Sequence, residues 1–166
     1  MRGMMTDEIQ EFIELNIDLI ENDQWNKVYD NATIYLDSES TGGLTQVLLD
    51  IGIDPLQQQH LDYIPEYYLS GATIDTFVIP SHVQELQEGC FSYSDIKEIV
   101  IPQGVKTIGK YAFYECLRLH KIVIPDSVTD ILDEAFEFTD GVVFYCSEES
   151  YAHRYALEHE LEVKLI

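Results

Sequence analysis

Three residue types in this chain could perform chemistry: histidines, cysteines and paired carboxylates. The five histidines stand at positions 60, 82, 120, 153 and 159, and none has a second donor nearby in sequence at the spacing of a metal-ligand pair. Cys90, Cys116 and Cys146 are odd in number and form no Cys-x-x-Cys motif, which argues against a zinc site and a disulfide framework. We therefore expect reduced thiols, no metal site and no cofactor.

The same residues give little support to catalysis. Cys90 occupies the position that Ala112 and Ala135 hold in a repeat pattern, so we interpret it as a small core residue rather than a nucleophile. The adjacent carboxylates Asp133–Glu134 and Glu148–Glu149 are typical of helix starts, where they favour the positive end of the helix dipole. The sequence has neither a phosphate-binding glycine loop nor a serine-hydrolase elbow. We predict that the chain is not an enzyme.

The chain is strongly acidic, with 31 acidic and 9 basic residues and a formal net charge of −22. A field of this sign repels nucleic-acid phosphates and anionic lipid headgroups, so we expect no direct contact with nucleic acid or a membrane, whereas basic partners remain possible. The N-terminus shows no basic segment followed by an apolar run, and no stretch reaches the roughly 18 apolar residues of a membrane span. These features favour a cytoplasmic protein.

Residues 1–60 have a helical pattern. Thr6, followed by two acidic residues, is a helix-start signal, and apolar residues then recur at three- and four-residue steps over 9–20. Further apolar stripes run over 25–36 and 44–51, and a short helical fragment follows. Residues 37–43 are expected to form a loop and cap. The pattern predicts three helices and a fragment.

This segment has two interpretations. A repeat array exposes apolar surface at its ends, so a helical N-terminal cap is the favoured one. The alternative is a binding site formed by Trp25, Tyr29 and the acidic helix face.

From residue 61 to about 146 the sequence repeats in units of 22–23 residues. A six-residue core starts at Ile64, Leu86, Ile108 and Ile131, and an apolar strand follows each core, beginning at Ile74, Ile96, Leu119 and Val142. In each strand, apart from the variant that begins at Val142, the first, fourth and sixth residues are apolar, as in Ile96, Ile99 and Ile101, and the second and third are polar, so one side is expected to face a core and the other solvent. We predict about four stacked units. The last residues of the cores, Leu69, Phe91, Phe113 and Phe136, are expected to stack in one buried column.

The repeats resemble the BspA-type leucine-rich repeats of bacteria, whose units read approximately L-x-x-I-x-I-P-x-x-V-x-x-I-x-x-x-A-F-x-x-C. Residues 119–136 follow this pattern nearly throughout, and Cys116 stands at the cysteine position. The resemblance implies an α+β chain: a helical cap in 1–60, a short leucine-rich-repeat β-solenoid in 61–146, and a C-terminal capping helix and strand in 147–166. It also implies a binding protein, frequently on cell surfaces.

The solvent side of the repeated strands is the candidate binding surface. Its nine residues form three columns: Asp75, Lys97 and His120; Thr76, Glu98 and Lys121; and Val78, Val100 and Val123. A row of exposed β-branched residues with polar edges offers the apolar area that binding sites use. Strand propensity alone, or cover by the N-terminal helices, would also explain the valines. The leading hypothesis is a module that binds an unknown protein through this face.

Two other functions remain open. The charge of −22 is compatible with an acidic inhibitor, of phage or mobile-element type, that imitates phosphates and occupies the nucleic-acid channel of an enzyme. An open sheet edge is compatible with a structural or oligomerising role. The sequence leaves the oligomeric state undetermined.

Overall fold

The computed structural model describes residues 5–166 and begins with five helices. They are α1 (Asp7–Leu15), α2 (Ile17–Glu21), α3 (Trp25–Tyr35), α4 (Ser38–Asp50) and α5 (Pro55–Gln58). Thr6 caps α1 by accepting a hydrogen bond from the backbone N–H of Ile9 at 3.2 Å. The prediction that the N-terminus lacks an export signal falls partly on residues 1–4, which lie outside the described residues.

Two details of the predicted helices were wrong. The first helix is divided at Asn16, whose buried side-chain amide donates to the carbonyl of Phe12 at 2.9 Å and receives a hydrogen bond from Asn31 at 2.6 Å. Residues 37–43 are not a loop, because α4 already begins at Ser38 with Asp37 as its cap. Gly42 lies so close to the first repeat unit that a Cβ there would be 1.8 Å from the carbonyl oxygen of Ser70. Glycine thus serves close helix packing here rather than a turn.

The repeats form two parallel sheets that face each other across one core. The first sheet contains β1 (Tyr63–Ile64), β2 (Glu85–Leu86), β4 (Thr107–Ile108) and β6 (Asp130–Ile131), and the second contains β3 (Glu98–Val100), β5 (Lys121–Val123), β7 (Val143–Cys146) and β8 (Glu162–Leu165). The predicted strand beginning at Ile74 forms only one bridge, from Thr76 to Glu98. It lies at the open end of the second sheet, where a neighbouring strand is available on one side among the described residues.

A stack of aromatic rings runs through the core of the solenoid. Phe91 and Phe113 have ring centroids 5.3 Å apart at 8°, and Phe113 and Phe136 have centroids 5.1 Å apart at 11°. We call these three residues the phenylalanine column. Leu69 of the first unit is fully buried, and Phe77 extends the aromatic contacts from Phe91 towards the cap at a centroid distance of 5.7 Å.

A buried polar ladder explains the position that holds cysteine in one unit. The Cys116 thiol donates to the carbonyl of Phe91 at 3.0 Å, and the Thr139 hydroxyl donates to the carbonyl of Phe113 one unit later. Ser94 holds the same position one unit before Cys116, and its hydroxyl lies 3.6 Å from the Cys116 sulfur. The position therefore selects a small side chain that can hydrogen-bond to buried groups of adjacent turns.

The C-terminus closes the array. Helix α6 (Tyr151–Glu158) begins at Ser150, whose hydroxyl accepts from the backbone N–H of His153 at 3.1 Å. Its Tyr155 ring lies 6.2 Å from Phe136 and 6.2 Å from Phe144, at the end of the phenylalanine column. The predicted architecture of helical start, leucine-rich-repeat solenoid and C-terminal helix is confirmed.

Candidate protein-binding surface

Of the nine predicted strand-face residues, four lie on the second sheet, two directly precede its strands, and three lie in the segment of the first unit that bridges to β3: Glu98, Val100, Lys121 and Val123; Lys97 and His120; and Asp75, Thr76 and Val78. Parallel pairing aligns Glu98 with Lys121 and Val100 with Val123, and the bridge from Thr76 to Glu98 continues the rows into the first unit. Because successive strands are in register, equivalent positions form straight columns. The array is thus a continuous surface with a fixed backbone.

The charged columns neutralise themselves within the chain. The Lys97 ammonium lies 2.8 Å from the Asp75 carboxylate, and Arg118 approaches the same carboxylate at 3.5 Å. One unit on, Glu98 contacts Lys121 at 3.0 Å and His120 at 3.4 Å.

These contacts lower the pKa of both carboxyl groups. The hydrogen bond from Lys97 lowers the pKa of Asp75, and Lys121 followed by His120 lowers the pKa of Glu98. Both carboxylates therefore stay ionised well into acid. Ion pairs between adjacent units therefore explain why these columns hold charged residues, and no bound partner is needed to explain them.

Pairing within the chain does not explain the valine column. Val78 is 87% exposed and Val100 is 61% exposed, whereas Val123 is half-buried. We call these three residues the valine ridge. Val78 and Val100 border a shallow hollow of about 330 Å³ that is also lined by Phe77, Ile79, Ile99 and Pro102, with Glu98 and Lys121 at its polar side. The N-terminal helices leave Val78 and Val100 exposed, so cover by the cap does not explain them.

Tyr145 extends the ridge and was missed by the sequence alignment. An alignment that starts the last strand at Val142 pairs Phe144 with Lys121, but the structure pairs Val143 with Lys121. The offset of one residue places Phe144 in the core and Tyr145 beside Val123, because successive strand residues face opposite sides. In the sequence, the signal for this register was the large apolar side chain of Phe144, which is expected on the core side of the strand. Lys121 and Lys164 lie 5.6 and 5.5 Å from the centroid of the Tyr145 ring.

The N-terminal aromatic residues belong to the core. Trp25 is 1% exposed and Tyr29 is 2% exposed, and the Tyr29 hydroxyl is hydrogen-bonded to Thr45 at 2.6 Å. The alternative of a binding site formed by these two side chains is therefore wrong, because neither reaches solvent.

The nucleophile and metal candidates are placed as follows. Burial raises the pKa of the Cys90 thiol well above its ordinary value and that of Cys116 to about 11, which disfavours the reactive thiolate. His60 and His82 stack with centroids 3.7 Å apart. Within residues 5–166 no three His, Cys, Asp or Glu side chains converge in a way that could hold a metal ion. No helix in the described part of the chain has the length and apolar character needed to cross a membrane.

Comparison with known proteins identifies the family of the repeats. A family model for the BspA-type leucine-rich-repeat region matches residues 56–145, more than half of the chain, in six copies. A search of curated proteins gave no match.

Two solved bacterial structures are similar to part of the chain. One is a leucine-rich repeat protein from Eubacterium ventriosum, with 22% identity and a TM-score of 0.49, aligned over 53% of this chain and 24% of its own. The other is a leucine-rich cell surface protein from Faecalibacterium prausnitzii, with 28% identity and a TM-score of 0.37, aligned over 52% of this chain and 24% of its own. The match thus spans about a quarter of either protein. On the family match, this chain belongs to the BspA-type leucine-rich-repeat family.

Proposed function

We propose that this protein is a non-enzymatic module that binds another protein through the valine ridge. The family indicates a protein-interaction or structural role. The observation that favours interaction is the exposure of Val100 on β3 and of Val78, which lies beside the bridge from Thr76 to β3. A stably folded chain gains little from exposed apolar side chains in register, whereas a partner that covers them gains their transfer out of water.

The ridge suits a partner that presents apolar side chains. The hollow between Val78 and Val100 can receive one such side chain, since apolar residues form most of its lining. On its polar side, Glu98 is already paired with Lys121, so contact there does not leave a single uncompensated charge. This is the arrangement of an apolar interface centre with a polar rim.

We further propose that the protein works in a reducing compartment, which is the cytoplasm in the simplest case. Cys90, Cys116 and Cys146 are fully buried and unpaired, and Cys116 acts as a hydrogen-bond donor in the polar ladder. Thiols used as core residues suit an environment in which they stay reduced.

Affinity capture with charge-matched variants tests the binding face. Val78→Lys with Val100→Lys adds two charges to the ridge, and a variant that we call the helical variant, Ile34→Lys with Ile51→Lys, adds the same charge at two exposed residues, one on α3 and one directly after α4. We expect a partner retained from cell lysate by the wild type, at low and moderate salt, to be lost with the ridge variant and kept with the helical variant. Equal retention by both variants would show that the ridge is not the contact.

The same experiment separates the acidic inhibitor from the binding module. An inhibitor that imitates phosphates should retain basic nucleic-acid enzymes at low salt only. Both lysine variants should weaken such a complex to a similar degree, because both make the net charge of the protein less negative by the same amount.

One observation favours an oligomerising role as the second candidate. Strand β8 pairs with β7 on one side, and its other edge faces no strand within residues 5–166. Its alternating charges, Glu162 and Lys164, count against this role, because charged residues on an edge strand oppose pairing with another chain. Sedimentation velocity over a wide concentration range decides the matter, since edge pairing predicts dimers that Val163→Pro abolishes.

A further inference from the structure

Aromatic residues recur in the turns that lead from the first sheet to the second, and they are half-buried at Tyr67 and Tyr111 and exposed at Tyr93 and Phe138. Tyr67 and Tyr111 hold one turn position two units apart, and Tyr93 and Phe138 hold another. All four have left-handed backbone conformations, with φ of 56°, 56°, 58° and 56°. Glycine takes that conformation without strain and does so at Gly89, between Tyr67 and Tyr111. Aromatic side chains therefore stand at positions where the backbone alone favours glycine.

Hydrogen bonds between units hold these turns in place. The backbone N–H of Tyr67 donates to the carbonyl of Glu88 at 3.0 Å, and that of Tyr93 donates to the carbonyl of Tyr114 at 2.8 Å. The aromatic side chains are therefore presented by a fixed ladder of turns rather than by independent loops.

Three of these rings form one cluster around a further ring, that of Tyr114. Its ring centroid lies 5.3 Å from Tyr93, 5.3 Å from Tyr111 and 5.5 Å from Phe138, at interplanar angles of 68°, 84° and 88°. Edge-to-face contacts of this kind leave ring faces open. Tyr93 is 51% exposed and Phe138 is 56% exposed. With Tyr67, the cluster lines an open hollow of about 390 Å³, which we call the aromatic hollow.

Two carboxylates lie at the aromatic hollow. Glu137 lines it directly, and Glu88 accepts a hydrogen bond from the Tyr67 hydroxyl at 3.2 Å. Burial, followed by the charge of Glu88, raises the pKa of Tyr67 to about 12. Burial, followed by Tyr93 and Glu115, raises the pKa of Tyr114 to about 12. The phenols therefore remain neutral at physiological pH.

The chain itself shows how a cation is held beside these rings. The Lys110 ammonium lies 4.5 Å from the centroid of the Tyr111 ring and 3.0 Å from the Glu134 carboxylate. A ring face on one side and a carboxylate on the other attract the same cation. The aromatic hollow offers both features, with Tyr93 and Phe138 as exposed rings and Glu137 as the carboxylate.

We propose that the aromatic hollow binds an arginine or lysine side chain in a basic segment of a partner protein. Aromatic faces attract cations, and the carboxylates at the rim complement the charge. A neutral apolar occupant fits less well, because it would desolvate Glu137 without pairing it. This site lies on the turn side of the solenoid, apart from the valine ridge, and is independent of the ridge's proposed function.

A peptide titration tests the proposal. The probe is an acetylated and amidated peptide of alternating arginine and glycine, with glutamate–glycine and leucine–glycine peptides for comparison, measured by calorimetry at low and physiological salt. Tyr93→Ala with Phe138→Ala removes two exposed rings without changing the net charge. Leu117→Ala with Leu157→Ala truncates two residues of similar exposure elsewhere. Circular dichroism establishes that both variants are folded.

We expect the wild type to bind only the arginine peptide. Loss of the two rings should weaken this binding by about fivefold or more, as expected for exposed cation–π contacts, and the leucine variant should bind like the wild type. Equal affinity in all three proteins would overturn the proposal, since general attraction to an acidic chain would then explain the binding. Equal binding of the leucine peptide would also overturn it.

A carboxylate pair provides the second readout. Glu137→Gln and Glu158→Gln remove the same charge, one at the aromatic hollow and one on exposed α6. The proposal predicts weaker binding of the arginine peptide with Glu137→Gln alone. An equal effect of both substitutions would contradict it.

Discussion

Replacing Phe113 with alanine removes the middle ring of the phenylalanine column. Phe113 is fully buried and has a stacked ring on each side, at centroid distances of 5.3 and 5.1 Å. Truncation of a core phenylalanine costs about 3–5 kcal/mol. Both neighbouring rings are themselves buried and held by adjacent units, so the cavity has little room to collapse, and we expect a loss of about 4 kcal/mol. That is a large share of the roughly 5–15 kcal/mol that stabilises a typical domain.

Urea unfolding followed by far-ultraviolet circular dichroism measures this loss. With an m-value of about 2 kcal/mol/M, the midpoint should fall by about 2 M. Val78→Ala is the control, because an 87% exposed side chain should change the stability by no more than about 0.5 kcal/mol. If the two substitutions cost the same, the assignment of the inner and outer sides of the solenoid would be refuted.

Three further predictions concern the cap and the core thiols. Gly42→Ala should strongly destabilise the protein, because the added Cβ would lie 1.8 Å from the Ser70 backbone. Gly43→Ala should be tolerated, because its Cβ would meet only the end of the Ile9 side chain, at 3.0 Å. Thermal unfolding of both variants measures the difference. Trp25, the single tryptophan, reports on the cap by fluorescence, and its unfolding curve should coincide with circular dichroism, because cap and repeats share one core. A fluorescence change that precedes the loss of circular dichroism would show that the cap unfolds separately. The buried thiols should react with a thiol reagent in urea and remain unreactive in the native protein, and rapid native reaction would contradict their placement.

The repeat architecture could be predicted from the sequence because each unit buries side chains at the same positions. A position such as Ile99 or Ile122 faces the core in every turn, so its apolar character recurs at the spacing of the repeat. Proline and valine positions mark the same corners of the chain. Such periodic signals survive without knowledge of long-range contacts.

The misassigned details depend on contacts that are distant in sequence. Gly42 has the residue type of a loop, and only its contact with Ser70 shows why glycine is required there. The register of Tyr145 depends on the burial of Phe144 in the core. Asn16 divides a regular apolar stripe, and the hydrogen bond that its side chain accepts comes from Asn31 of α3. Local propensity cannot anticipate such tertiary effects.

The aromatic hollow escaped prediction for a related reason. Tyr93 and Phe138 look like ordinary turn residues in sequence, and their repeat positions show no apolar periodicity. Stacking of the units brings them to opposite sides of Tyr114. The charged columns were visible in sequence, but their pairing with one another, as between Asp75 and Lys97, requires the register of adjacent units.

Site-specific photo-cross-linking in cells of the source organism tests partner binding through the valine ridge most directly. A photoreactive phenylalanine analogue at position 100, on the ridge, is compared with the same residue at position 34, an exposed position on α3. We expect a discrete cross-linked protein from position 100 that is absent from position 34 and disappears when Val78→Lys is added. Cross-links of equal yield and identity from both positions, or a product that persists with Val78→Lys, would contradict it.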